Sequence, residues 1–300
     1  MPETVDCSLC GKAPSRIMHT TRPRTLFKPL AADDLLPERN WRLCLNCGLI
    51  YLSPRLTTAE AATLYDDDYH DMHHEELRTW EFFKKKEFIE RRAPGGRLMD
   101  VGCGYGYFQY RLGDNWDAVG LEISQAAVQR GRERLDVDIR QGALDQAGFD
   151  DASFDAVTLW DVLEHLPDPV AELKRAHRVL RPGGVIGIST CDAAALVPRM
   201  ARSYWYCINT PDHQYAFTLD WLKKALDHAG YEFCDVLIHN QGWDFFTPFA
   251  RRFAMESVKS AIALAAQVTH IGKLKQFVAS KAPPLVPMFR DIVMVAGIKR

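Results

Sequence analysis

The sequence predicts an α/β fold: a doubly wound, mostly parallel sheet with a small cysteine-bearing domain ahead of it. Three observations lead there. From Gly95 onward short apolar runs alternate with helical segments, the pattern of successive βαβ units. The first of those runs passes through a glycine turn straight into a helix. Two Cys-x-x-Cys pairs, Cys7/Cys10 and Cys44/Cys47, precede all of it.

Three hundred residues at 47% hydrophobic content hold one sizeable domain plus a small accessory one. With 37 basic against 39 acidic residues the net charge is −2, so no global field draws nucleic acid or an acidic polymer. Any anionic partner must be met locally. The opening residues lack a basic stretch followed by an apolar one, so a cytoplasmic address is expected. The longest apolar run, 261–266, falls far short of the about 20 residues that a membrane-spanning helix needs. In a reducing compartment the eight cysteines are then ligands or buried residues rather than disulfides.

Residues 1–57 read as a zinc ribbon, two knuckles joined by a polar, proline-rich loop. Four thiolates arriving as two Cys-x-x-Cys pairs can close a tetrahedral Zn²⁺ shell, and a glycine follows the second cysteine of each pair, Gly11 and Gly48. Two buried pairs without metal are the alternative; a redox pair should open a helix, and neither does. Cys103, Cys191, Cys207 and Cys234 read as core or pocket residues. Such ribbons often bind nucleic acid, and Arg16, Arg22, Arg24, Lys28, Arg39 and Arg42 lie here. No aromatic stacking platform accompanies them, so no nucleic-acid partner is expected, and the binding-module reading stays an alternative.

Residues 58–94 form a helical linker. Thr57 with Glu60 marks a helix start, and Leu64, Tyr65, Trp80, Phe82, Phe83 and Phe88 supply apolar faces for one or two helices. In 95–300 the expected strands are 97–102, 118–123, 138–142, 155–160, 185–190 and 233–239, with a last one at 291–299. A helix-rich insertion, 243–282, is either a lid packed on the core or an interfacial helix making peripheral membrane contact for a lipid-linked substrate.

The glycine turn holds Asp100, Gly102, Cys103, Gly104 and Gly106. Without Cβ atoms in the way, backbone can approach a ligand closely there. The next strand ends at Glu122 and Ile123, where a carboxylate can accept both ribose hydroxyls of a nucleoside-bearing cofactor. A dinucleotide fingerprint spaces its glycines as Gly-x-Gly-x-x-Gly, but here the third comes one residue early and Tyr107 stands in its place. That favours a cofactor without a pyrophosphate and leaves an NAD-dependent oxidoreductase as the alternative.

Asp100-x-Gly102-x-Gly104-x-Gly106, Glu122, Ser153-Phe154-Asp155, Val162-Leu163-Glu164-His165-Leu166 and Arg181-Pro182-Gly183-Gly184 resemble the successive motifs of class I S-adenosylmethionine-dependent methyltransferases. The resemblance implies a Rossmann-like, seven-stranded sheet with an antiparallel last strand, and S-adenosyl-L-methionine as cofactor. It places the methionine part of the cofactor on Asp100 and the glycine turn, the ribose at Glu122, the adenine between Gly142, Ala143 and Leu144, and Trp160 in the pocket wall. Many relatives carry an Asp where this chain has Ala143. The stretch from Cys44 to Arg55, followed by Leu64, Tyr65 and Tyr69, resembles zinc-ribbon methyltransferases of sugar, polysaccharide and secondary-metabolite pathways. That implies a ribbon covering the substrate pocket and, as partner, a small-molecule substrate such as a nucleotide- or lipid-linked sugar.

The cofactor's sulfonium already activates the methyl group, so the protein aligns an acceptor and, for a hydroxyl or carbon acid, removes its proton. Open α/β sheets bind ligands at the carboxyl ends of their strands. Asp161, directly after the fourth strand, and His165, one helical turn on, qualify; His165 is equally readable as a helix-terminal histidine satisfied by backbone. In 210–218, His213 and Tyr215 are the other acceptor-side candidates, with His213 the leading base. Ribbon-bearing sugar C-methyltransferases carry Tyr-x-Glu-His here, whereas this chain has Thr210, Asp212 and His213. O-, N- and C-methylation all stay open.

Overall fold

The computed structural model describes residues 2–21, 38–65, 78–239 and 291–300. The insertion at 243–282 with its membrane contact, Tyr69, and the basic residues Arg22, Arg24 and Lys28 lie outside them. At the N-terminus β1 (Ser15–Thr21), β2 (Arg39–Cys44) and β3 (Ile50–Leu52) form an antiparallel meander. At 15–21 and 39–44, between the two knuckles, the chain is therefore paired strand where a loop was expected. Two helices follow, α1 (Thr58–Ala62) and α2 (Thr79–Glu90). The sequence signal for α1 is realised as a capping box, in which the Thr57 hydroxyl accepts from the Glu60 amide and the Glu60 carboxylate accepts from the Thr57 amide.

The main body alternates β4 (Gly96–Val101), α3 (Tyr107–Tyr110), β5 (Trp116–Glu122), α4 (Gln125–Leu135), β6 (Asp138–Gln141), β7 (Phe154–Trp160), α5 (Pro169–Val179) and β8 (Leu180–Cys191). After α6 (Leu196–Ala201) and a two-residue strand, β9 (Tyr215–Ala216), come α7 (Leu219–His228), β10 (Tyr231–His239) and β11 (Ile292–Lys299). The large sheet runs β10-β11-β8-β7-β4-β5-β6, and among the described strands β11 alone runs against the direction of the other six. All seven expected strands are present. The longest extension is in β8, which begins at Leu180 because that residue pairs with Phe154 ahead of the Pro182-Gly183-Gly184 turn.

Alternation along the strands sends side chains to two cores. Met99, Val157, Ile186 and Val295 meet Leu173 and Ala176 of α5 and Trp221, Leu222 and Leu226 of α7. Leu98, Ala156, Val185 and Met294 meet Phe82, Phe88 and Ile89 of α2. α5 starts where Asp168 accepts from the Val170 and Ala171 amides and Pro169 occupies the first turn. Among the described residues no helix is long and apolar enough to cross a membrane.

One pairing was not foreseen. β9, from the segment after β8, adds a fourth strand to the N-terminal meander by pairing with β3, Ile50 opposite Ala216 and Tyr51 opposite Tyr215. The knuckle residues Cys7, Cys44 and Cys47, with Leu49 and Tyr51, belong to the same apolar cluster as Tyr215, Phe217 and Trp221. Trp221 is completely buried and stacks on Phe217 with ring centroids 4.7 Å apart. Trp221→Ala is expected to lower the unfolding free energy by about 3 to 5 kcal/mol. Urea titration checks this, and a loss below about 1 kcal/mol would contradict the packing described.

Candidate active site

The glycine turn leaves β4 at the carboxyl edge of the sheet. Gly102 has φ of 68°, and a Cβ there would lie 2.6 Å from a Val162 methyl, so only glycine fits between β4 and the loop after β7. At the end of β5 the Glu122 carboxylate is buried and spans the turn: Oε2 accepts from the Gly104 amide at 3.0 Å and Oε1 from the Ser124 amide at 2.9 Å. Asp100 is turned inward, its Oδ1 accepting from the Thr158 hydroxyl at 2.6 Å, which ties β4 to β7. Cys103 is buried beside Gly120, where a Cβ would lie 2.4 Å from its Sγ. That requirement for glycine in the middle of a strand was not read from the sequence.

Ile123 is exposed, Ala143 half-buried and Leu144 buried, and the Gly142 amide donates to the Glu122 carbonyl at 2.9 Å, which holds these residues at one end of the sheet. Asp145 is exposed. Trp160 packs edge-on against Phe108, centroids 5.5 Å apart, in the core under α2.

Asp161 adopts φ of 58° and is fully engaged. Its Oδ2 accepts from Arg78 Nη2 at 2.8 Å and Lys85 Nζ at 3.0 Å, and its Oδ1 from the Ser189 hydroxyl at 2.8 Å. Burial alone would raise this carboxyl, but the Lys85 and Arg78 charges outweigh it and hold it well below the usual range. Glu81 pairs with the same two cations. Asp161 thus sits as a counter-ion in a buried network that fastens α2 to the end of β7.

The residues after it form a second cluster. The Glu164 carbonyl accepts the amides of Gln214 at 2.9 Å and Tyr215 at 3.2 Å, and this brings the His165 and His213 rings to 4.6 Å, nearly perpendicular. His165 Nδ1 lies 3.2 Å from Asp212 Oδ2, and His213 Nδ1 lies 3.2 Å from Cys207 Sγ. Burial would lower His165, but the Asp212 charge outweighs it and lifts it to about 9. Burial and the neighbouring His165 push His213 down to about 3, and burial pushes Glu164 up to about 7. Tyr65 meets His165 edge-on at 6.5 Å, and its phenol is held up by burial and by the charges of Asp212, Glu122 and Glu164. It therefore stands within electrostatic reach of both the turn and the histidines.

Tyr215 is differently employed. Its hydroxyl accepts from Arg55 Nη1 at 2.8 Å and donates to the Pro167 carbonyl at 2.9 Å, while burial pushes it up to about 12. That hydroxyl joins the ribbon to the loop after β7. Sequence reasoning missed Glu164 as a site residue, although it stands beside His165, and gave Asp212 no orienting part.

In the N-terminal lobe the four Sγ atoms of Cys7, Cys10, Cys44 and Cys47 lie within 4.8 Å of one another, Cys7 and Cys47 being 3.5 Å apart. A tetrahedral shell with metal–sulfur bonds of about 2.3 Å has edges of about 3.8 Å, so the donor set and spacing fit one divalent ion. The Leu9 and Cys10 amides face the Cys7 sulfur, and the Asn46 and Cys47 amides face that of Cys44. Gly11 and Gly48, at φ of 62° and 84°, close the two turns by donating to the Cys7 and Cys44 carbonyls.

A family described as "Methyltransferase domain" matches residues 72–236. A probable S-adenosylmethionine-dependent methyltransferase of Mycolicibacterium smegmatis is 32% identical over 162 residues, 52% of this chain and 61% of that one. Ubiquinone biosynthesis O-methyltransferase of Xanthomonas oryzae pv. oryzae is 42% identical over 174 residues, 54% of this chain and 72% of that one. Its namesake from Xanthomonas campestris is 38% identical over 104 residues, 32% of this chain and 44% of that one. The chain thus spans less than two thirds of the Mycolicibacterium and Xanthomonas campestris relatives. Among solved structures, a possible histamine N-methyltransferase from Thermotoga maritima superposes with a TM-score of 0.53 at 16% identity, covering 78% of this chain and 98% of that one. A methyltransferase from Archaeoglobus fulgidus gives 0.52 at 16%, covering 77% and 100%. These structures match the fold, while the family's match, 72–236, contains the glycine turn, Glu122 and the Glu164-His165 pair. The chain belongs to the class I S-adenosylmethionine-dependent methyltransferase family.

Proposed function

We propose that the protein transfers a methyl group from S-adenosyl-L-methionine to an oxygen of a small hydroxyl-bearing acceptor. The observation that carries this reading is the placement of the Glu164, His165 and His213 cluster at the carboxyl edge of the sheet that also holds the Glu122 turn, with Tyr65 in reach of both. When bound, the cofactor supplies a methyl group already activated by its sulfonium. Glu122, poised on the Gly104 amide, would take the ribose hydroxyls, and the turn's backbone with Cys103 the methionine part. Ile123, Ala143 and Leu144 would flank the adenine. The histidine cluster would hold the acceptor hydroxyl and help remove its proton, with His213 the first residue to test.

The names of the Xanthomonas relatives favour oxygen as the methylated atom. The acceptor's scaffold is the finer question: the ribbon favours a nucleotide- or lipid-linked sugar, those relatives a quinone precursor. Asp161, whose charge is matched by Arg78 and Lys85, and Tyr215, whose hydroxyl bridges Arg55 and the Pro167 carbonyl, we assign to positioning. In the ribbon, Cys7, Cys10, Cys44 and Cys47 would hold one structural Zn²⁺, which keeps β3 in place as the partner of β9.

Three measurements test this reading. By calorimetry the protein should bind S-adenosylmethionine and S-adenosylhomocysteine but not NAD, and Glu122→Ala should weaken cofactor binding about 10- to 100-fold, since hydrogen bonds to a charged group contribute about 1.5 to 3 kcal/mol. Binding of NAD alone would promote the oxidoreductase. Metal analysis should find about one zinc per chain in purified protein, lost together with N-terminal protection from proteolysis in Cys44→Ser. A metal-free lobe that stays fully protected would remove zinc from the account. In a screen for labelled methyl transfer to nucleotide sugars and catechol-like phenols, His213→Ala should lower turnover by about 10² to 10⁴ while S-adenosylhomocysteine binding stays unchanged. Near-normal turnover would take His213 out of the acceptor site.

A further inference from the structure

Glu164, His165 and His213 have the composition and spacing of a metal site separate from the cysteine cluster. One nitrogen from each ring and one carboxylate oxygen lie within 4.8 Å of one another. Glu164 is 2% exposed and its Oε2 has no hydrogen-bond partner among the described residues, so a residue of the cluster keeps a desolvated carboxyl oxygen unfilled. Each imidazole has a polar neighbour, Asp212 Oδ2 at 3.2 Å from His165 Nδ1 and Cys207 Sγ at 3.2 Å from His213 Nδ1. Ligating imidazoles commonly have such a polar group beside them.

We propose that Glu164, His165 and His213 bind one divalent first-row cation, whose remaining coordination positions take the acceptor's hydroxyl oxygen. Two nitrogens and a carboxylate form a harder donor set than four thiolates, one that suits Mn²⁺, Fe²⁺ or Co²⁺ and leaves positions open, whereas the ribbon cysteines close a full shell for Zn²⁺. Binding to the cation lets the acceptor O–H release its proton to solvent near neutral pH. The oxygen's electron pair then forms the O–CH₃ bond as the cofactor's S–CH₃ bond breaks, its pair returning to sulfur as a neutral thioether. The identity of the oxygen ligand rests on the methyl-transfer reading above; the cation site itself does not.

Zinc-loaded protein saturated with S-adenosylhomocysteine is titrated with Mn²⁺ while free Mn²⁺ is counted by electron paramagnetic resonance. Wild type should take up one equivalent, a hard ion that leaves the thiolate site undisturbed. Glu164→Gln and His213→Ala should bind at least about 10-fold more weakly, the loss commonly seen when a metal site is damaged. Retained S-adenosylhomocysteine binding shows that each variant is folded. Should either fail that control, Mn²⁺ broadening of the His165 and His213 ring-proton resonances in wild type decides, and their absence counts against the site. Absence of saturable uptake by wild type, or equal uptake by wild type and Glu164→Gln, overturns the proposal. Either result with cofactor binding intact leaves the methyltransferase reading standing, whereas loss of cofactor binding with Mn²⁺ uptake retained would strike that reading alone.

Discussion

A single backbone carbonyl organises the acceptor end of the molecule. The oxygen of Glu164 takes two amides, those of Gln214 and Tyr215, and without it a buried segment would have no partner for either N–H. The same segment is held from the opposite side, where the Gln214 carbonyl accepts the Leu52 amide and β9 lies along β3. The loop that carries His213 is thus clamped between the end of β7 and the ribbon. Its side chain meets His165 as a result of backbone geometry, before any side-chain attraction acts.

Buried charge does the corresponding work under α2. Lys85, Arg78, Glu81 and Asp161 form an almost dry network, and removing one member would strand the others, which is costly in a low-dielectric interior. The network also accounts for the left-handed backbone of Asp161. A strained residue persists where its surroundings over-determine it, and here three donors fix the carboxylate.

What was legible in the sequence follows from range. The strands, the Thr57 capping box, the glycine turn and Glu122 are local patterns, in which a residue's part is set by neighbours a few positions away. The fold class followed from them. Asp161 drew notice because it follows a strand, but its surroundings are set by Lys85, 76 residues earlier, which donates to its carboxylate. Tyr215 looked like an acceptor-side group, but its hydroxyl meets Arg55, 160 residues away. Nor could spacing show that β9 would join the ribbon, since two residues of strand leave no periodicity to read.

The sheet order has a consequence for how the chain assembles during synthesis. Among the described residues β10 touches the sheet through β11 alone, whose Val293, Met294 and Val295 are completely buried between β8 and β10. Until residues 292–299 leave the ribosome, β8 presents an open edge and β10 has nothing to pair with. The nascent protein therefore carries an exposed strand edge through the making of more than fifty intervening residues, 240–291, and that is the interval in which a chaperone or a neighbouring chain would find something to hold.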